Sequence, residues 1–406
     1  MLRFLTSGES HGQALVTILE GLPAGLTIDF DAITLELRRR QGGYGRGRRM
    51  AIESDRAEIL SGVRRGRTTG APVALLVRNK DWENWQNTMH VEAQAPAGST
   101  GANRAAVVRP RPGHADLAGA LKYDHEDIRD VLERASARET AARVAAGAIA
   151  RQLLLAVGCE ITSHITGIGG VVLPPGAVVT FDQAHALAPE APLRCADSTL
   201  EQQMIGAIDA AKEAGDTLGG SFEVIARTVP IGLGSYVQWD RKLDGRLAQA
   251  LMSIPAIKAV SIGDGVEGAR RPGSLVHDEI VAVPAAAGEP VIGRPTNRAG
   301  GLEGGVTNGQ ELRVTGFMKP ISTLMKPLRS VDLTTLDEAP AAIERSDTCA
   351  VPAAAVVAEA MVGLVLANAL LERFGGDSMV DLCARVTGTG SRIRGRVSRR
   401  PAAAQA

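Results

Sequence analysis

Apolar and polar positions alternate over several short stretches of the chain and recur at three- and four-residue intervals over others, predicting a mixture of strands and helices. GQALVTILEGLP (12–23) and GQELRVTGFMKP (309–320) both open on Gly-Gln, run through an apolar segment and meet proline eleven residues after the glycine. GGSFEVIARTVP (219–230) and GAPVALLVRNKD (70–81) are looser versions of the same rhythm. The repetition suggests a β-rich architecture with internal duplication.

Helical spacing is clearest in four places. Residues 30–40 set Ile33 and Leu37 one turn apart behind Asp29, a suitable N-cap. Between Ser136 and Gly158 the apolar positions are Ala141, Val144, Ala145, Ala148, Ile149 and Leu153, and Ser136 with Glu139 reads as a capping box. Ser198 and Glu201 repeat that signal before a helix ending near Gly215. Residues 353–374 read as a long apolar helix with Pro352 in its first turn and Gly375 and Gly376 at its end. Its alanine and valine content predicts burial on nearly all sides, as in a central layer.

Two segments have no period. Residues 41–50, QGGYGRGRRM, are mostly glycine and arginine, and residues 81–113 hold two of the three tryptophans and RPRPG. Loops of this length inside a compact domain point to function or disorder. The sequence is therefore divided into one domain over 1–385 and a basic, flexible tail over 386–406.

Composition narrows the class. The 406 residues are 45% hydrophobic and 22% charged, as in a globular protein, with no uninterrupted apolar run of membrane-spanning length and no secretory signal pattern. A cytoplasmic location without membrane attachment follows as an expectation. Cys159, Cys195, Cys349 and Cys383 are widely spaced and never form CxxC, so neither a disulfide framework nor a metal site is expected. Net charge is zero, yet only seven of the 45 basic residues are lysines. Arginine grips phosphate and carboxylate with a planar fork, so its placement matters more than its abundance.

Arginines gather in RRRQGGYGRGRR (Arg38, Arg39, Arg40, Arg46, Arg48, Arg49), RPRPGH (Arg109, Arg111), ERASARET (Arg134, Arg138) and AIERSDTCAVP (Arg345, next to Asp347). ERASARET is the most pointed of these, because two arginines flank a helix start whose free amides and positive dipole end attract anions. A solvated arginine-rich surface is the plain alternative for each one taken singly. KPIST (319–323) sets Lys319 beside Ser322 and Thr323 after a glycine-rich approach, GGLEGGVTNG (300–309). Of seven histidines, His11 in GESHG and His114 in RPGHAD lie in glycine-bounded, aperiodic segments where core packing explains little. P-loop, GxGxxG strand–helix, GxSxG and HExxH signatures are absent.

Eight of these stretches resemble the chorismate synthase family, in family order and over nearly the whole chain. They are GESHG (8–12), RRRQGGYGRG (38–47), RPGHAD (111–116), RASARET (134–140), IGDG (262–265), NRAGGLEGGVTNG (297–309), KPIST (319–323) and RSDTCAVPA (345–353). One departure is visible: Glu133 and Ala135 stand where family members often carry glycine and serine.

The resemblance implies an α+β fold, with a helical layer between antiparallel β-sheets, assembled as a homotetramer. It implies a carbon–oxygen lyase that removes phosphate from 5-enolpyruvylshikimate 3-phosphate by 1,4-elimination to give chorismate, with reduced FMN as cofactor. NADPH is a candidate reductant, and the chain's modest length favours an external flavin reductase as partner. By the same resemblance His11 would protonate the leaving phosphate, His114 would protonate or stabilise the reduced flavin, and Asp347 would assist proton removal at flavin N5. Ser10, Arg46, Arg49, Ser136, Arg138 and Arg345 would hold substrate. Arg134, Ala135, Ser136, Pro255, Ala256, Gly304, Lys319, Pro320, Ile321, Ser322, Thr323 and Arg345 would hold FMN, and the nucleotide-contact positions fall on Arg40 and Arg46. A nucleic-acid-binding module is the main rival from another class. Zero net charge and 3% aromatic residues count against it. A flavin-independent phosphatase or lyase is the other.

Overall fold

The structure is a computed structural model that describes residues 1–47, 55–284, 290–343 and 347–398. Strands β1 (Arg3–Ser7), β2 (Ala14–Glu20), β3 (Ala57–Ile59) and β4 (Val73–Arg78) form an antiparallel sheet in the order β1-β2-β4-β3. A second antiparallel sheet has the order β8-β9-β7-β5-β6. Its strands are β5 (Glu160–Ile168), β6 (Val171–Val172), β7 (Gly220–Arg227), β8 (Ile257–Ile262) and β9 (Leu312–Met318). The described helices of eight or more residues are α1 (Phe30–Gln41), α2 (Asp116–Tyr123), α3 (Thr140–Leu155), α4 (Ser198–Glu213), α5 (Leu243–Met252), α6 (Val351–Phe374) and α7 (Met379–Ser398). The fold is α+β, as the resemblance implies. The two Gly-Gln stretches become β2 and β9, each the second strand of its own sheet and each paired with one of the looser relatives, β4 and β7.

Strand alternation explains the packing. Leu15 and Leu19 of β2 point inward with Val73, Leu75 and Val77 of β4, against α3. Thr17 shares that buried face, and its hydroxyl is satisfied by donating to the Ala142 carbonyl of α3 at 3.1 Å. On the other side α6 packs on β5 and β7, and α3 packs against α6. The two helices approach closely at Gly147, where a Cβ would come within 2.3 Å of the Ala360 Cβ. A larger residue there would push the helices apart.

Helix α6 is long and apolar enough to cross a membrane, but nearly all of it lies inside the protein. Of its two carboxylates, Glu359 is the fully buried one, bonded to Arg39 of α1 (2.7 Å), Arg151 of α3 (2.8 Å) and the Ser163 hydroxyl of β5 (2.5 Å). Burial alone would raise the Glu359 carboxyl, but the charges of Arg39 and Arg151 hold it well below the usual carboxylate range. One ion network thus ties three helices to a sheet.

Several local expectations change. Asp29 does cap α1, accepting from the amides of Asp31 and Ala32. The two capping boxes do not form. Ser136 opens a short 3-10 turn, and Glu139 turns to Thr6 and Arg143 instead. Asp197, one residue earlier than Ser198, caps α4, while Glu201 accepts from the amides of Leu193 and Cys195. Ser136 keeps a local cap, its hydroxyl accepting from the Arg138 amide at 3.2 Å, and in both cases it is the glutamate of the box that finds other partners. The tail boundary at 386 falls inside α7, which is helical to Ser398.

Candidate active site

GESHG makes the turn between β1 and β2. Gly8 takes φ +103°, and a Cβ there would lie 2.3 Å from the Ala14 carbonyl oxygen, so only glycine fits. The Asn79 amide clamps the turn by donating to the carbonyls of Glu9 (3.1 Å) and Gly12 (2.6 Å). Ser10 is buried and donates its amide to the Glu133 carbonyl at 3.0 Å. The His11 ring has Nδ1 2.9 Å from the Glu133 carboxylate and stacks on Trp85, with ring centroids 3.8 Å apart.

ERASARET packs onto this turn. The Ser136 hydroxyl donates to the Ser10 hydroxyl at 3.2 Å. Buried Arg138 donates to the Asn79 side-chain oxygen (2.9 Å) and to Asp55 (2.6 Å). Arg40 arrives from the end of α1, donates to the Thr140 hydroxyl (2.9 Å) and the Ala137 carbonyl (3.0 Å), and lies 3.6 Å from Asp55. Serine hydroxyls, an imidazole and two arginines therefore converge, as an anion site requires.

Not every arginine of these runs serves that site. Arg38, Arg39 and Arg40 occupy the last turn of α1 and, one helical step apart, point three ways. Arg38 is exposed near Glu190, Arg39 pairs with buried Glu359, and only Arg40 reaches the Ser136–Thr140 segment. Arg134 is exposed and braces β1, donating to the carbonyls of Gly8 and Thr6 at 3.0 Å. Arg46 and Asp347, expected in separate roles, form an ion pair at 2.7 Å. Arg49 and Arg345 lie outside the described residues.

A second cluster forms around His114. Asp116, fully buried at the start of α2, sits 2.5 Å from His114 Nδ1 and accepts from Arg111 Nε at 2.8 Å. Burial would raise the Asp116 carboxyl, but the bonds from His114 and Arg111 hold it well below the usual carboxylate range. Arg111 also donates to the Thr323 hydroxyl at 3.0 Å, joining RPGHAD to KPIST. Lys319 donates its ammonium to the Gly113 carbonyl and its amide to the Ala256 carbonyl (2.9 Å), and the Ile321 carbonyl accepts from Thr217 (2.7 Å). Gly113 is at φ +80°, and a Cβ there would lie 3.2 Å from Lys319 Nζ and 3.6 Å from the Ser322 Cβ. This glycine-floored cradle, with an ammonium, two hydroxyls and an imidazole, suits a phosphorylated group with a polar ring edge. Pro320 follows the end of β9, and Pro255 precedes Ala256, beside Ser253, whose hydroxyl accepts from Arg143 at 2.8 Å. Ala135 closes the preceding turn, its amide donating to Val131. Gly304 turns the Leu302–Thr307 hairpin, where an added Cβ would meet only Tyr236 within 4 Å.

Four participants were not legible as such in the chain: Glu133, Asp116, Asp55 and Trp85. Asp116 stands two residues from His114 inside a recognised motif, a spacing that could have marked it. Nothing local marks Asp55 or Trp85. Glu133 stands out only as the residue that departs from the glycine form of its motif.

The family model described as "Chorismate synthase" matches residues 2–371. Proteins named chorismate synthase from Symbiobacterium thermophilum and Moorella thermoacetica are 57% and 58% identical, over 93% of this chain and 96% and 95% of theirs. A solved structure titled as the crystal structure of chorismate synthase aligns at TM-score 0.77 with 42% identity, covering 97% of this chain and 98% of that one. Matched over nearly its whole length by the family model and by relatives of this identity, the chain belongs to the chorismate synthase family.

Proposed function

We propose that this protein converts 5-enolpyruvylshikimate 3-phosphate to chorismate by 1,4-elimination of phosphate, with reduced FMN as cofactor. The observation that carries this reading is the packing of the GESHG turn, with Ser10 and His11, against the Ser136–Thr140 segment, which contains Arg138 and which Arg40 reaches. The substrate presents a phosphate and two carboxylates, and its leaving group departs more easily when its developing charge is paired and protonated. Arg138 and Arg40 supply positive charge, the two serine hydroxyls orient oxygen atoms, and His11 delivers the proton. Asp347, which pairs with Arg46, would assist proton removal at flavin N5 once substrate engages that arginine.

Reduced flavin supplies the electron density that loss of phosphate demands. Lys319, Ser322, Thr323 and the Ala256 backbone would hold it, with His114 at its polar edge and Asp116 orienting that imidazole. The central helices α3 and α6, each packed on a different sheet, support a helical layer between sheets. Leu5 and Ile18, an exposed cross-strand pair on the outer face of the first sheet, suit the homotetramer expected of the family. We also place the enzyme in the cytoplasm, dependent on NADPH or a separate reductase for its flavin. An anaerobic assay with substrate, with and without reduced FMN, tests the reading. Chorismate should accumulate only with the reduced flavin, and product in its absence would overturn the assignment.

A further inference from the structure

We infer that Glu133 is the positioning residue for His11, holding the imidazole as its Nδ1–H form so that Nε2 is the nitrogen that gives up the proton. The inference rests on the proposed role of His11 and goes beyond it, because it names the group that makes one ring nitrogen the acid.

Residue 133 is joined to the GESHG turn through three of its atoms. Its carbonyl accepts from the Ser10 amide (3.0 Å), one carboxylate oxygen accepts from the His11 amide (2.9 Å), and both carboxylate oxygens lie 2.9 Å from His11 Nδ1. The same carboxylate thus grips the backbone and the side chain of one residue. Glu133 is almost wholly buried, with only 1% of its side chain exposed, against 15% for His11. A carboxylate so deeply buried depends on these bonds, and Arg129 lies 3.9 Å from it as a further ion-pair partner. An ionised carboxylate only accepts hydrogen bonds, so the nitrogen it faces must carry hydrogen. Nδ1 is therefore the donor, and Nε2 carries the lone pair in the neutral ring and the second proton in the imidazolium.

Trp85 closes the remaining freedom. Its ring lies against the imidazole with an interplanar angle of 19°, and Arg104 lies 4.0 Å over the same indole. A 180° ring flip must turn through orientations that this stack obstructs, and it would set a carbon where Nδ1 now donates. In the proposed step the Nε2–H bond breaks and an O–H bond forms on the departing phosphate. The ring is left neutral with its Nδ1–H still on Glu133. The carboxylate keeps its bond to Nδ1–H and needs no movement during the step.

Three variants test this. Glu133→Ala should lower kcat by about 10- to 100-fold, the scale seen when an orienting partner of a functional histidine is lost, with substrate affinity little changed. Glu133→Gln keeps the shape and an acceptor oxygen, so it should recover much of that loss and guard against a folding artefact. Nitrogen-15 NMR of histidine-labelled protein, with His11 assigned by difference from His11→Ala, reads the tautomer without turnover. Nδ1–H is expected in the parent and in Glu133→Gln, and a mixture in Glu133→Ala. An Nε2–H ring in the parent, or unchanged tautomer and turnover in a folded Glu133→Ala, overturns the inference and leaves the role of His11 intact. Full turnover in His11→Ala overturns the role of His11 itself, and the inference with it.

Discussion

Arg46 and Asp347 neutralise one another across a 2.7 Å ion pair, and Asp347 also accepts from the Gly47 amide at 2.7 Å. A basic and an acidic residue about three hundred positions apart in the chain thus form a single unit. A substrate phosphate or carboxylate that engages Arg46 would weaken its hold on Asp347, coupling substrate binding to the freeing of a base.

Arg46→Ala should therefore raise the substrate dissociation constant. A lost charge-assisted hydrogen bond of about 1.5–3 kcal/mol corresponds to roughly 10- to 150-fold. Equilibrium calorimetry reads this directly, and unchanged affinity would remove Arg46 from the substrate site.

Asp116→Ala should destabilise the fold, because it strands buried Arg111 and removes the partner of His114. Breaking a buried pair in this way costs about 3–5 kcal/mol. The sign with pH follows from the lowered Asp116 carboxyl. Its contribution is complete above the ordinary carboxylate value of about 3.9 and is lost as pH falls below it. Urea denaturation of the two proteins should give a constant difference from pH 5 to 8 that shrinks in stronger acid. A difference that grows in acid would contradict the assignment.

Glu359→Ala should separate stability from chemistry. The network of Glu359 with Arg39, Arg151 and Ser163 contains neither His11 nor His114. We expect a loss of about 3–5 kcal/mol, with kcat per folded molecule within twofold of the parent. A selective fall in kcat would place Arg39 in the site after all.

Gly147→Ala sets two effects against each other. Intrinsic propensity alone favours alanine by about 1 kcal/mol in a helix. The 2.3 Å approach of a Cβ to Ala360 instead forces α3 and α6 apart, at about 1–3 kcal/mol or more. The melting temperature should fall, and a rise would mean that the two helices do not meet there.

The periodic parts of the chain declare themselves. Asp29 caps α1, Pro352 and Gly375 bracket α6, and the alternation of β2 and β4 follows from residues no more than a few positions apart. GESHG, RPGHAD, ERASARET and KPIST stood out because glycine, histidine and arginine in aperiodic segments have little packing reason to be there, and the structure brings these segments together in two clusters. The sequence by itself determined the strongly periodic elements and the family, but not α2, α5 or the reach of α7.

The tertiary structure decided what each polar group is for. Arg39 and Arg40 are neighbours of the same type, yet a rotation of about 100° on the helix sends one into a structural network and the other towards the anion site. Ser136 and Glu139 have the spacing of a capping box, yet Ser10 and Thr6 claim their side chains from over a hundred residues away. Glu133 could be read from the chain only as a departure from a pattern, and folding makes it the partner of His11. Long-range pairing of this kind depends on which surfaces meet when the two sheets close on α3 and α6, and no local spacing records it.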